Sequence, residues 1–125
     1  MSLPSYRLVV QRSGANLATH ATIAEGIAAR MVGLLNRDHL EPGAALILPS
    51  CRSVHTVGMR FTIDVLFVDS RWEVVGQCPN LPPWRMTPVV WAASTVIELP
   101  AGTLASVGIK QGDTLVLDPT ASKAS

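Results

Sequence analysis

Ile63-Asp64-Val65-Leu66-Phe67-Val68, then Asp69-Ser70-Arg71, then Trp72-Glu73-Val74-Val75-Gly76-Gln77, is the stretch that decides the fold. Its first six residues are β-branched, aromatic or leucine, with one carboxylate among them. That run is the strongest strand signal in the chain, and the three-residue polar break predicts a hairpin with Trp72 to Gln77 as the returning strand. Working outward, Thr95 to Leu99 and Thr114 to Leu117 read as strands on the C-terminal side. Ala44 to Leu48 is a continuous apolar run, closed by Pro49, and reads as a buried strand. Cys51 to Thr56 alternates loosely and reads as a further one. Tyr6 to Gln11 and Leu17 to Ala21 flank the turn residues Ser13-Gly14-Ala15-Asn16 and predict a second hairpin.

A helix is predicted to begin at Thr22. Thr22-Ile23-Ala24-Glu25 fits a capping box, and Ile27, Met31, Leu34 and Leu35 fall on one apolar stripe. Gly33 interrupts the stripe at a cost of about 1 kcal/mol against alanine. Asn36 is the expected stop. Thr103 to Val107 reads as one short helical turn. Pro79, Pro82, Pro83 and Pro88 crowd a stretch beside Trp84 and Trp91, which is incompatible with a central strand or a helix interior. The expected fold is mainly β (α+β): a compact antiparallel, barrel-like domain of about eight short strands, with one amphipathic helix packed at one end. The order of elements is not an alternating βαβ one, and no Gly-rich phosphate loop follows a strand.

The chain has 125 residues, which suits one domain over 1–125, with 118–125 as a frayed tail. An apolar fraction of 48% against 15% charged residues describes a well-buried globule. The net charge of +1 supplies no field to steer nucleic acid or anionic lipid. No apolar run reaches the roughly 18 residues that span a membrane. With no visible signal peptide and two isolated cysteines, Cys51 and Cys78, the expected compartment is the cytoplasm. No cofactor is expected, and the composition does not specify an oligomeric state.

Polar chemistry concentrates between Cys51 and Asp64. His55 and Asp64 are the candidate catalytic pair, a general base and the carboxylate that would orient it. The competing reading has Asp64 receive backbone or arginine hydrogen bonds and organise a turn. Cys51, His55 and Met59, spaced by four, would suit a soft ion such as Cu(I), but a closed structural zinc site wants four strong ligands, so no metal is expected. A Cys51–His55 nucleophile pair lacks a signature loop. Arg30, Arg37 and Arg60 form a candidate anion-binding cluster. Against it stands the reading in which each pairs with Asp38, Asp64 or Glu98. Glu98 lies between Ile97 and Leu99 and needs an arginine if it faces inward.

Several phrases together resemble a known family. Arg30-Met31-Val32-Gly33-Leu34-Leu35-Asn36-Arg37 is similar to a motif R-x-x-G-L-[ML]-x-R. Val54 to Asp69, Val96-Ile97-Glu98-Leu99-Pro100-Ala101-Gly102 and Gly108-Ile109-Lys110-Gln111-Gly112-Asp113 resemble its central and closing motifs. The family is domain of unknown function 192, and the resemblance runs from about Leu17 to Leu117. Many members carry W-M-K-N-T where this chain has His55 to Phe61, and many carry an export or lipid signal that this chain lacks. The resemblance implies a compact β-rich fold and no established reaction. It marks Arg30, Arg37, His55, Met59, Arg60, Asp64 and Glu98 as motif positions.

Three readings follow. The first is a non-catalytic binding or accessory domain for an anionic small molecule or peptide. In it the His55–Asp64 segment meets the end of the helix and the Trp84 loop, Arg30, Arg37 and Arg60 supply charge, and Trp84 and Trp91 supply apolar surface. The second is a small hydrolase or transferase using His55 and Asp64. The third makes the polar motif purely structural.

Overall fold

A computed structural model of the chain describes residues 5–24 and 37–119. Seven strands are found among them: β1 (Tyr6–Val10), β2 (Asn16–Ile23), β3 (Ala44–Pro49), β4 (Ile63–Val68), β5 (Val74–Leu81), β6 (Thr95–Pro100) and β7 (Leu115–Pro119). One short helix, α1 (Thr103–Val107), precedes β7. The strands form one sheet in the order β5-β4-β6-β3-β2-β1-β7. The mainly β fold expected from the sequence is therefore present as a curled sheet, a half-barrel.

Curling brings the two edges together at one end. Glu73 and Thr114 form an isolated bridge, Val74 N–H donates to Asp113 O at 2.8 Å, and Leu115 N–H donates to Trp72 O at 2.8 Å. Beside this seam a charge clasp ties the end of β1 to the turn before β7. Arg12 donates through Nε to Asp113 Oδ1 at 2.7 Å and through Nη2 to Oδ2 at 3.0 Å, and Lys110 N–H donates to Oδ2 at 2.8 Å. These donors lower the Asp113 carboxyl to about 2, the Arg12 hydrogen bond contributing most.

Every residue of β4 is buried. Strand side chains alternate between faces, so a strand buried throughout must lie under cover on both sides. Leu66 and Val68 join Ile97, Leu99, Ile47, Ala45, Leu8 and Leu115 in one apolar cluster. Val65, Phe67 and Ile63 join Val96, Leu48, Leu40, Met59 and Ala93 in the other. The second cluster is the one covered by the loops between β3 and β4 and between β5 and β6.

The elements differ from the sequence reading at identifiable places. Thr22 and Ile23 do not open a helix: they end β2, and their partners are Leu46 and Ile47 in a parallel pairing with β3. The β-branched pair simply extends the strand. The remaining predicted helix, with Arg30 and Gly33, lies outside the described residues. Cys51 to Thr56 is not a strand; only His55 bridges to Met86. Strand β5 extends through Pro79 to Leu81, which an edge strand tolerates because its outward N–H has no ladder partner to lose. Asp118 and Pro119 are not frayed, since they pair with Arg7 and Tyr6.

The parallel β2–β3 pair rests on a close approach. Gly43 has φ 84° and its carbonyl accepts the N–H groups of Thr19 at 2.8 Å and His20 at 3.0 Å. A Cβ at Gly43 would lie 2.5 Å from Thr19 Oγ1, whereas one at Gly14, φ 75°, would meet nothing within 4 Å. Gly14→Ala should thus cost only the left-handed backbone strain, about 1 kcal/mol. Gly43→Ala adds a clash and should cost about 2–3 kcal/mol. Urea denaturation of both variants checks the ordering; equal losses would refute the close-approach argument.

Candidate functional site

The loops over the second cluster are tied together by two threonines. Thr56 is fully buried. Its hydroxyl donates to Pro82 O at 2.7 Å and accepts from Arg85 N–H at 2.9 Å. Its backbone N–H donates to Arg85 O at 2.8 Å, and its carbonyl accepts from Trp84 N–H at 3.0 Å. Thr87, also buried, accepts from Val54 N–H at 3.0 Å through Oγ1 and donates its own N–H to Val54 O at 2.9 Å. Val90 N–H reaches Arg52 O at 2.8 Å. These bonds fix the loop between β5 and β6 against the segment around His55.

What the two loops present outward is apolar. Trp84 is 64% exposed, Met86 70% and Trp91 77%, with Val57 and Val89 about half exposed beside them. Arg52 donates through Nε to Trp91 O at 3.2 Å, and Arg85 through Nη1 to Trp84 O at 3.3 Å. Each guanidinium has five N–H donors, so both keep donors for another partner.

The predicted site residues separate into distinct environments. His55 is exposed and its Nδ1 accepts from Val57 N–H at 3.3 Å. Asp64 is fully buried, with Oδ1 accepting from Asn80 N–H at 2.9 Å and Oδ2 from Leu104 N–H at 2.9 Å. The expected His55–Asp64 pair is therefore not formed: the carboxylate is consumed by the amides of β5 and α1. Met59 is packed in the second apolar cluster while His55 is exposed, so the Cys51-His55-Met59 spacing does not become a ligand set. Cys51 and Cys78 are not joined in a disulfide. Burial, with the Asp64 charge behind it, pushes the Cys78 thiol up, which disfavours the thiolate.

Two of the three predicted arginines, Arg37 and Arg60, fall among the described residues. Arg60 pairs with Asp38 at 3.2 Å on the exposed surface. Arg37 lines a cleft with His20, Thr22 and Glu41. Arg30 lies outside the described residues. The Arg60–Asp38 contact does place the segment after His55 against residues 37–40. It is a surface ion pair, worth about 0–1 kcal/mol.

Glu98 is the anomalous group. Strand registers set Thr22, Leu46, Glu98, Val65 and Cys78 in one row across β2, β3, β6, β4 and β5. Glu98 is only 6% exposed, and among the described residues its carboxylate has no hydrogen-bond or ion-pair partner. Among the described residues no arginine pairs with this inward glutamate. Burial raises its pKa from 4.5 to about 7.

A model of the DUF192 family, described as an uncharacterized ACR, matches residues 8–117. The chain belongs to the DUF192 family. It is 33% identical over 95 residues to a UPF0127 protein of Thermococcus sibiricus and 38% identical over 63 residues to one of Pyrococcus furiosus. Those matches cover 73% and 50% of this chain, but 61% and 53% of the relatives, so the chain spans little more than half of each. Among solved structures, it is similar to a protein of unknown function from Novosphingobium aromaticivorans, with TM-score 0.78, 20% identity, and 92% and 93% of the two chains covered. It is also similar to a proposed transcription regulator from Sinorhizobium meliloti, with TM-score 0.74, 24% identity, and 91% and 92% covered. At these identities the structural likeness shows the fold. Among the described residues no helix is long and apolar enough to cross a membrane.

In this DUF192 domain the motif positions thus divide by environment: Asp64 and Met59 hold the fold, His55, Arg37 and Arg60 are exposed, and Glu98 is buried with no ion-pair partner among the described residues. Asp64→Ala would strand two amides in the interior and should destabilise by about 2–4 kcal/mol. Hydrogen exchange at Asn80 and Leu104 should accelerate beyond that at Leu66; uniform acceleration would contradict the local role. Glu98 predicts the opposite pH slope from an ion-paired acid. Between pH 4.5 and about 7 the folded chain holds a proton that the unfolded chain has released. Stability should therefore be full below pH 4.5 and fall by about 3 kcal/mol as pH rises to 7. Glu98→Gln should flatten that slope in denaturation midpoints measured from pH 4 to 8.

Proposed function

We propose that this DUF192 domain is a non-catalytic binding module that captures an acidic peptide segment carrying apolar side chains. The observation that carries the reading is the exposure of Trp84, Met86 and Trp91 on one hydrogen-bonded loop, beside Arg52 and Arg85. Tryptophan, methionine and arginine are the residue types enriched at protein interfaces, and tryptophan and arginine dominate binding hot spots. An exposed face of this kind suits an extended segment better than a small molecule, which needs a concavity. The threonine bonds hold the loop before any partner arrives, so less ordering entropy opposes binding. The charges of Arg52 and Arg85 favour an anionic partner. The general-base alternative loses its orienter, because both Asp64 oxygens are committed to backbone amides.

Fluorescence anisotropy tests this with a labelled peptide of alternating glutamate and leucine, and a control with lysine for glutamate. The acidic peptide should bind, and the lysine control should not. Trp84→Ala and Trp91→Ala should each weaken binding at least about tenfold, or 1.4 kcal/mol. Their stability should stay within about 0.5 kcal/mol of the parent, as both side chains are exposed. Equal binding of both peptides, or unchanged affinity in the double variant, would reject the proposal.

A further inference from the structure

A separate concavity opens between β2 and the segment leading into β3. Its volume is about 270 Å³, and it is lined by Arg37, Glu41, His20, Thr22, Leu40 and Leu46 among others. That is just below the roughly 300 Å³ at which drug-sized ligand sites begin. Arg37 and Glu41 line the same cleft yet form no ion pair with each other or with any other described side chain. A cation and an anion held apart in one concavity present complementary partners for a ligand with both charges. The floor differs in character: Leu40 is buried, and Leu46 and Ala44 pack against the second apolar cluster. His20 is positioned at the rim, its N–H donated to Gly43 O at 3.0 Å and its Nδ1 3.0 Å from Thr19 Oγ1.

We infer that this cleft is a site for a small zwitterion with an apolar side chain, an α-amino acid in chemical class. The carboxylate faces Arg37, whose forked donors match its two oxygens. The ammonium faces Glu41, and the side chain covers Leu40 and Leu46. The inference is independent of the peptide face, which is built from the loops at 52–60 and 82–91.

An NMR titration of the ¹⁵N-labelled chain tests it. The probes are L-leucine, L-leucinamide, which lacks the carboxylate, and N-acetyl-L-leucine, which lacks the ammonium. L-leucine should give saturable shifts at the Ala44, Ala45 and Leu46 amides below about 10 mM, with each control at least about tenfold weaker. Arg37→Gln should lose the discrimination against leucinamide, and Glu41→Gln that against N-acetyl-leucine. Both positions are exposed, so neither variant threatens folding. Equal binding of the three probes, shifts confined to residues 84–91, or no shift with L-leucine would each overturn the inference.

Discussion

Strand β4 leaves no side chain in solvent, and its one polar group is a carboxylate. Both oxygens of Asp64 therefore need donors that the interior can provide. They find one amide on β5 and one at the start of α1. This choice has consequences in both directions along the chain. The Asn80 amide is held where the backbone turns left-handed, at φ 54°, just before β5 gives way to the proline-rich loop. The Leu104 amide fixes the first turn of α1, whose five residues could not persist as an isolated helix. The loop carrying Trp84 and Trp91 thus departs from a strand end whose direction is set inside the sheet.

Much of this was legible from residue order. Runs dominated by apolar residues at Ile63–Val68, Ala44–Pro49 and Thr95–Pro100 became the adjacent strands β4, β3 and β6, because a two-sided core requires such runs. The errors have a shared cause, which is that local patterns ignore distant partners. Thr22 and Ile23 fit a helix start as well as they fit a strand, and only the pairing with Leu46 and Ile47 decides between them. For the carboxylate at 64 the sequence left two readings open, an orienter for His55 and a turn organiser, and the amides it meets lie 16 and 40 residues away, beyond any local pattern. Thr56 and Thr87 gave no warning, since a hydroxyl bonding a carbonyl or amide 26 to 33 residues away has no local signature. Arg12 and Asp113, 101 residues apart, were equally invisible.

Asp64 and Glu98 make an instructive contrast, because they stand on neighbouring strands and point to opposite faces. Asp64 lies opposite Leu99 and is satisfied twice; Glu98 lies opposite Val65 and Leu46 and is satisfied by nothing described. Comparable burial therefore leads to different chemistry. A carboxylate supplied with amides is a structural tie. One surrounded by apolar side chains is a group whose charge the fold resists, and whose proton affinity moves toward neutrality.

That resistance bears on where binding chemistry can sit. The face holding Glu98 is the face over which the loops fold and beside which the cleft opens, with Leu46 shared between the cleft wall and the Glu98 row. The opposite face is a closed aliphatic core, with the Arg12–Asp113 pair tying the end of β1 to the turn before β7. Both faces are thus tied down, one by its aliphatic core and the other by the threonine-bonded loops, and the exposed apolar groups lie on the second. An interaction that recruits Arg37, Glu41, Trp84 or Trp91 meets exposed side chains, and among the described residues neither Arg37 nor Glu41 is in an ion pair. Partner contacts there do not have to compete with the bonds that hold the sheet.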